Sequence, residues 1–491
     1  MKRNLLIIPA LMVTAFFAAT EIAKAADISF SGQLLTRYES NEHGLNAAAT
    51  FNDESEAGDF IVSRTRINAD VAVNDSTSAF IQMSRNGTWG ANGNGQNVGG
   101  QSGTTDGSFE VSDNDQNLGV HQAYFVLKNF AGLPADLKLG RQEIILDGHR
   151  IFGNTIWTVG QQTHDAVRLD HKHDNMTFSA AWIMNSEGGT PGNNATASTD
   201  RDVETYMAYM KYAGILGGNL SITYAGIIDP CGDSGVVCTD DGNINDMHTI
   251  GFRQAGQLYG IDYRGEYYYQ WGDANEDAQN LTAGSSTAGV DVERDAYMFG
   301  VRIGKTFKNV TMKPGLTIWY DYLSGTTDAD LDASDQKFKS FNPVFDTGHK
   351  FYGLQDLFLG IGTGNATNGT GGLGLQDLAI KTKLSPAPGW TFKMDYHWFY
   401  TAEGTAANSQ RGFSGNESVV DSPNRNGGSD LGTEIDLSLA NKYNANTTIT
   451  AGFSNYSNTQ IFRDIRNVDS GGANWAYLMF DVKIGRASCR E

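Results

Sequence analysis

The chain has 491 residues, of which 40% are hydrophobic and 19% are charged, and its formal net charge is -20. This acidic balance disfavours nucleic-acid binding, because proteins of that class need a basic surface to neutralise phosphates. Length and composition alone allow two or three domains and exclude little else.

The first 25 residues have the pattern of a secretory signal peptide. Lys2 and Arg3 precede an apolar stretch over 5–19, and Ala23-Lys24-Ala25 offers a small-residue cleavage site. The alternative, an N-terminal membrane anchor, needs a longer apolar run. We therefore expect an exported chain, with residues 1–25 as signal peptide and 26–484 as the mature domain. The end, IGRASCRE, resembles a translated sequencing adapter, which predicts that 485–491 are a non-native tail.

After the signal peptide, apolar and polar residues alternate with period two, which is typical of β-strands. The pattern predicts 18 strands, at 28–39, 59–72, 77–86, 119–129, 136–145, 163–171, 175–185, 202–213, 218–228, 246–255, 259–271, 292–305, 310–323, 372–384, 389–401, 431–442, 446–457 and 474–484.

The connections between these strands alternate in length. Short links such as VNDS and SPAP follow the even-numbered strands, and long polar loops such as 87–118, 324–371 and 402–430 follow the odd-numbered ones. A soluble sandwich has no reason to collect its long loops at one end, whereas an outer-membrane barrel does. The sequence therefore predicts an all-β fold: a closed antiparallel transmembrane β-barrel of about 18 strands, with short periplasmic turns and long extracellular loops, in the bacterial outer membrane.

The faces of the strands support this prediction. In WTFKMDYHWFY (390–400) one face is aromatic or apolar and the other carries Lys393, Asp395 and His397. Aromatic residues ring the lipid-facing side of such barrels at the membrane interfaces, while the lumen is polar. A barrel of this size is expected to hold an aqueous channel and no hydrophobic core in the usual sense.

Basic residues on the predicted lumen faces are the best functional signal. They are Arg37, Arg64, Arg66, Arg168, Arg264, Arg302, Lys313, Lys381, Lys383 and Lys393. They either pair with lumen carboxylates for stability or guide an anionic solute, and both interpretations stay open. The doublet Arg64 and Arg66 favours guidance, since two close cations on one lumen face are costly without an anion.

The remaining motifs give weaker evidence of function. Cys231 and Cys238 fall in one long loop of an exported chain, which predicts a disulfide, with unpaired cysteines as the alternative. Residues 369–374, GTGGLG, match a dinucleotide motif but precede a strand, so no cofactor is expected. The acidic segment 328–335 lacks the EF-hand residues, although a looser calcium site there stays open. No metal ligand set and no catalytic residues are assigned.

One block resembles the signature of the alginate-export family of outer-membrane barrels. It spans Leu139 to Leu169, and the matching residues are Gly140-Arg141-Gln142, Asp147-Gly148, Arg150, Trp157 and Asp165-Ala166-Val167-Arg168-Leu169. Segments such as GQLLTRYE, SRTRINADVAV and GTEIDLSLANKY are also similar, so the resemblance covers essentially the whole mature chain.

The resemblance implies an 18-stranded barrel whose basic lumen guides a polyuronate outward and whose loops gate the pore. It implies polysaccharide contacts at Arg64, Arg66, Arg141, Arg150 and Arg168. Expected partners are outer-membrane lipid and lipopolysaccharide, an anionic saccharide and a periplasmic polysaccharide-secretion apparatus. The leading hypothesis is a passive, non-enzymatic channel for an anionic poly- or oligosaccharide. The alternatives are a general diffusion porin for small solutes and a plugged structural or scaffold barrel.

Overall fold

The computed structural model describes residues 27–41, 58–89, 118–158, 160–186, 202–229, 245–275, 292–327, 329–331, 336–359, 369–405, 427–466 and 472–489. The predicted signal peptide and the pair Cys231 and Cys238 lie outside these residues and stay predictions.

Eighteen strands form the barrel, as the alternation predicts. They are β1 (Asp27–Asn41), β2 (Gly58–Ala72), β3 (Thr77–Thr88), β4 (Leu118–Leu127), β5 (Asp136–Gln142), β6 (His164–His173), β7 (Met176–Ser186), β8 (Val203–Ile215), β9 (Gly218–Ile228), β10 (Met247–Leu258), β11 (Ile261–Asp273), β12 (Glu293–Thr306), β13 (Gly315–Leu323), β14 (Leu375–Leu384), β15 (Trp390–Thr405), β16 (Gly428–Lys442), β17 (Thr447–Asn458) and β18 (Gly472–Cys489).

Each strand pairs with its neighbours in sequence, and β1 pairs antiparallel with β18, which closes the barrel. Leu34 faces Val482 and Thr36 faces Phe480 across this closing seam. Closure matters because an open edge would leave backbone groups unpaired in lipid. Strand β18 continues to Cys489, so residues predicted as a tail extend the last strand. Their non-native origin stays a prediction.

Little regular structure lies outside the barrel strands among the described residues. Helix α1 (Gln460–Arg466) follows β17, and the two-residue strand Lys337–Phe338 pairs parallel with the start of β12. No helix in the described ranges is long and apolar enough to cross a membrane.

The alternation of faces is confirmed. On β13, Leu316 and Ile318 are 46% and 54% exposed on the outer face, whereas Trp319 and Asp321 are buried on the lumen side. On β15, His397 is likewise buried toward the lumen. Apolar side chains of the outer face are available to lipid, and the polar side chains of the inner face interact inside the barrel.

The expectation of a barrel without a hydrophobic core was wrong. Loop residues Ile144, Phe152 and Phe358 are buried together with the strand residues Ile183 and Phe399 in one apolar cluster. The cluster forms because two long loops fold back into the interior of the barrel and bring apolar side chains that burial stabilises.

Candidate functional site

Two extracellular loops meet inside the barrel. We call residues 143–158 and 160–163 loop A, and residues 336–359 loop B. The amide of Gly153 in loop A donates to the carbonyl of Phe345 in loop B at 2.7 Å. The amide of Thr347 donates to the carbonyl of His149 at 3.1 Å. A side chain at Gly153 would collide with Thr347, since a Cβ there would lie 2.2 Å from its Oγ1. The two loops therefore pack as one unit.

The base of loop A is held by buried charges. Arg150 is 1% exposed and donates from Nη2 to Oε1 of Glu266 at 3.2 Å. It also donates to Asp321 and to the hydroxyl of Tyr352. Burial alone would lower the pKa of Arg150, but Asp321, Tyr352 and Glu266 hold this pKa above its usual value. Arg150 thus stays charged between β11 and β13.

Three further arginines surround the same two carboxylates. Arg302 lies 3.4 Å from Asp321, and Arg253 and Arg264 lie 3.8 Å and 3.5 Å from Glu266. Together with Arg150 and the two carboxylates they form a group that we call the ion cluster. Its four arginines outnumber its two carboxylates, so the ion cluster carries a net positive charge even when Asp147 beside Arg253 is counted.

Asp147 ties the base of loop A to three more strands. Its Oδ1 accepts from the hydroxyl of Tyr209 at 2.9 Å, and its Oδ2 accepts from Ser221. Arg253 approaches Oδ1 to 3.8 Å. The base of loop A is therefore fixed through ionic and charge-assisted contacts to strands from β8 to β13.

The tip of loop A, Thr155 to Thr158, lies against the opposite wall. Arg64 on β2 donates from Nη1 to the carbonyls of Ile156 and Thr158 at 3.2 and 3.3 Å, and from Nη2 to Gln33 Oε1 at 3.3 Å. Arg37 on β1 donates to the carbonyl of Trp157 at 2.8 Å. Three consecutive backbone carbonyls of the tip therefore accept hydrogen bonds from two lumen arginines.

Arg66 completes this second basic group. It donates to the side chain of Gln161 in loop A and lies 4.0 Å from Glu143. Glu143 in turn contacts His121 and Asn154, both at 3.0 Å. Burial alone would raise the pKa of Glu143, but the hydrogen bonds from His121 and Asn154, with the charges of His121 and Arg66, hold it below its usual value. We call Arg37, Arg64 and Arg66 the arginine wall.

Trp157 at the tip sits in an aromatic setting. The guanidinium of Arg37 lies 3.7 Å from the centre of the Trp157 ring, and His349 of loop B stacks on it at 4.1 Å. Tyr477 and Trp475 of β18 contact the same ring edge-on at 5.0 and 5.5 Å. The tip is thus docked by stacking as well as by hydrogen bonds.

Lys381 belongs to a third polar group on the lumen side of β14 and β15. Its Nζ lies 2.9 Å from Asp395, 3.1 Å from Nε2 of His397 and 4.6 Å from the ring centre of Trp319. Arg302 covers the same Trp319 ring. Basic side chains of β12 and β14 therefore meet on one aromatic ring.

The remaining residues that were predicted on lumen faces lie apart from these three groups. Arg168 faces the lumen and pairs with Asp170 and Ser179. Lys383 and Lys393 are exposed and face each other across β14 and β15, near the periplasmic turn. Lys313 was predicted on a lumen face, and this was wrong: it lies in the turn before β13, with φ of +47°. Because β13 begins only at Gly315, Lys313 is not part of the barrel wall.

Arg141 is also not placed in the lumen. It pairs with Asp165 at 2.8 Å, and the two side chains are 44% and 58% exposed. Arg141 shares a face of β5 with the outward Leu139. The acidic segment around 328–335 is only partly described, and within the described residues no group of side chains is arranged to hold a metal ion.

Sequence reasoning missed two features. Arg253 faces the lumen next to the outward Phe252, so the alternation of β10 could have identified it. The inward folding of loop A had a signal too, because Ile144, Leu146, Ile151 and Phe152 are too apolar for a solvated loop.

A closed barrel with an apolar outer face and a charged lumen defines an outer-membrane channel, which places the protein in the bacterial outer membrane among its lipids. The chain belongs to the alginate export family, whose model matches residues 27–470. Among curated protein sequences, none matches the chain.

Solved structures share the fold. The crystal structure of Pseudomonas aeruginosa OccK8 (OprE) aligns with a TM-score of 0.52 and 12% identity, covering 95% of this chain and 99% of that one. Acinetobacter baumannii OccAB1 aligns with a TM-score of 0.54 and 11% identity, covering 96% and 99%. At such low identity the likeness shows the barrel fold.

Proposed function

We propose that the protein conducts an anionic poly- or oligosaccharide, such as a polyuronate, passively across the outer membrane. The observation that carries the proposal is the arginine wall. Among the described residues, the hydrogen-bond acceptors of Arg64 are all neutral oxygens. Asp481 and Glu143 act on Arg64 only as nearby charges, without a hydrogen bond to it among the described residues. A buried guanidinium whose hydrogen-bond acceptors are all neutral gains an ionised acceptor when an anion visits it, and a planar carboxylate suits its fork of donors.

The ion cluster also favours selectivity for anions. Its four arginines surround two carboxylates on the far side of the lumen from the arginine wall. A sugar chain with regularly spaced carboxylates could exchange from one basic group to the next, which lowers the barrier to passage. Membership in the alginate export family agrees with a uronate cargo. A periplasmic secretion apparatus that delivers the cargo is a further prediction.

Single-channel recording in planar bilayers tests the proposal. Oligogalacturonate added to one side should interrupt the ionic current at low concentration, whereas a neutral oligosaccharide of equal length should not. Equal block by both sugars would contradict charge-based recognition and favour a general diffusion porin.

A plugged structural barrel is the second candidate, because the apolar cluster around Phe152 and Phe358 occupies the lumen. The same recording separates it from a channel. A plugged barrel would give no steps of current at any sugar concentration, although the protein inserts into the bilayer.

A further inference from the structure

We propose that the tip of loop A is a displaceable occupant of the arginine wall, and that an anionic group of the solute releases it by taking its hydrogen bonds. The proposal deepens the function proposed above and rests on it. In the present conformation the carbonyls of Ile156, Trp157 and Thr158 use the donors of Arg37 and Arg64 that a carboxylate would need. Tip and anion cannot use the same N–H groups at once.

The two attachments of loop A differ in chemical kind. At the base, Arg150 and Asp147 contact oppositely charged partners on the barrel strands. At the tip, the backbone of loop A offers only neutral carbonyl oxygens to the arginine wall. Each tip carbonyl is a neutral acceptor of a single hydrogen bond from a guanidinium, whereas a carboxylate carries the opposite charge and can accept two parallel hydrogen bonds, so an arriving carboxylate competes well with the tip carbonyls. The same anion has no comparable advantage at the base, where the carboxylates of Glu266 and Asp321 already hold Arg150. Arg37 also pairs with Glu39, which lies 2.6 Å from its Nε, so the competition centres on Arg64.

The tip is also placed between two backbone positions that can act as pivots. Thr155 and Gln161 have φ of +45° and +53°, a left-handed conformation that non-glycine residues adopt at a cost. Between them, Ile156 is 59% exposed, so the tip loses little apolar burial at this residue when it leaves the wall. A swing of the tip would expose Arg64, which is now 2% exposed, without disturbing the base.

The consequence is a channel whose resting occupant and cargo compete for one site. An anionic solute would open its own path, and a neutral solute would leave the tip in place. Trp157 opposes release of the tip through its contacts with Arg37 and His349. A carboxylate therefore shifts the equilibrium between docked and released tip only as far as it binds the released state more tightly than the docked state.

Distances between two spin labels in the full-length protein test the inference. One label is attached at Thr158→Cys, whose side chain is exposed at the tip, and the other at Ala445→Cys in the periplasmic turn after β16. Cys231, Cys238 and Cys489 are replaced with Ser to remove background labelling. Sodium galacturonate should produce a second distance population, and galactose at the same ionic strength should not.

Two variants separate the anchoring of the tip from lumen charge in general. Arg64→Ala removes two of the hydrogen bonds to the tip carbonyls, so the second population should appear without any sugar. Arg168→Ala removes a lumen arginine that pairs with Asp170 and Ser179, so the tip should remain docked. An identical shift in both variants would contradict a specific role for the arginine wall.

Calorimetric titration with galacturonate under the same conditions distinguishes a failure of tip displacement from a failure of the proposed anion channel. Saturable binding with an unchanged distance distribution overturns the displacement of the tip and leaves the proposed anion channel intact. Absence of binding contradicts the anion channel and the displacement together. Binding with a second distance population supports both.

Discussion

At the scale of single residues, the lumen combines buried charges with a carboxyl group that titrates near neutrality. Loss of water around Asp346 in loop B raises its pKa to about 7, although Arg150 acts in the opposite direction. Asp346 adjoins Phe345, whose carbonyl receives the amide of Gly153 from loop A. Its protonation therefore affects the contact between the two loops.

The pH dependence of loop docking follows from this shift. A carboxyl released into water has a pKa near its ordinary value of about 4, so the docked loop binds the proton more tightly. The free-energy cost of docking loop B with Asp346 ionised is fully present above about pH 7, and protonation of Asp346 relieves this cost as the pH falls. Through Asp346 alone, lowering the pH from 8.5 to 6.5 should favour the docked loop by about fourfold. Hydrogen exchange of residues 336–359, corrected for intrinsic rates, should slow accordingly.

Asp346→Asn provides the control for this prediction. The amide does not titrate, so lowering the pH should favour docking about fourfold less in Asp346→Asn than in the wild type. Burial and Lys350 lower the pKa of His149, so protonation of the released histidine opposes docking at pH 6.5. This effect is the same in the wild type and in Asp346→Asn, so it cancels in the comparison. An equal pH dependence in the wild type and in Asp346→Asn would assign the effect to another group.

At the scale of elements, the sequence predicted strands well and loops poorly, for a physical reason. The alternation around Thr317, Trp319 and Asp321 is local, and lipid on one side enforces it. The ion cluster is not local: Arg150 lies 116 residues from Glu266 and 171 residues from Asp321. No pattern in a single sequence reports such pairs. The lumen position of Arg64 and Arg66 was predictable, but their partners in loop A were not.

Loop B is held by an aromatic anchor at its end. Phe358 is 1% exposed, and its ring lies 4.7 Å from Phe399 of β15 and 6.2 Å from both Tyr456 of β17 and Phe462 of α1. Removing a buried phenylalanine side chain costs about 3–5 kcal/mol. Phe358→Ala should therefore release the end of loop B while the strand pairing of the barrel persists.

Limited proteolysis with chymotrypsin in detergent measures this release. Phe341, Phe351 and Tyr352 of loop B are buried, so cleavage at these positions should appear in Phe358→Ala and be rare in the wild type. Phe453→Ala is the matched control, because Phe453 is 42% exposed on the outer face. Cleavage of loop B to the same extent in both variants would argue that Phe358 is not its anchor.

At the scale of the whole molecule, the alternation of connection lengths sets the orientation of the barrel. Two residues, 174–175, link β6 to β7, and two residues, 216–217, link β8 to β9. By contrast, the links that follow β3 and β15 cover 89–117 and 406–427. Every long connection thus leaves from the same rim of the barrel. In outer-membrane barrels this rim faces outward, and the short turns face the periplasm.

Protease added to intact bacterial cells tests both the orientation and the inward folding. Cleavage is expected within 89–117 or 406–426, since these long polar segments follow odd-numbered strands. Although loops A and B are also extracellular connections, they pack inside the barrel and should be spared, as should the turns at Asp174 and Pro386. Disruption of the outer membrane should make the turns accessible and leave loop A protected. Cleavage at the turns in intact cells would invert the orientation, whereas early cleavage within 143–158 would show that loop A lies outside the lumen.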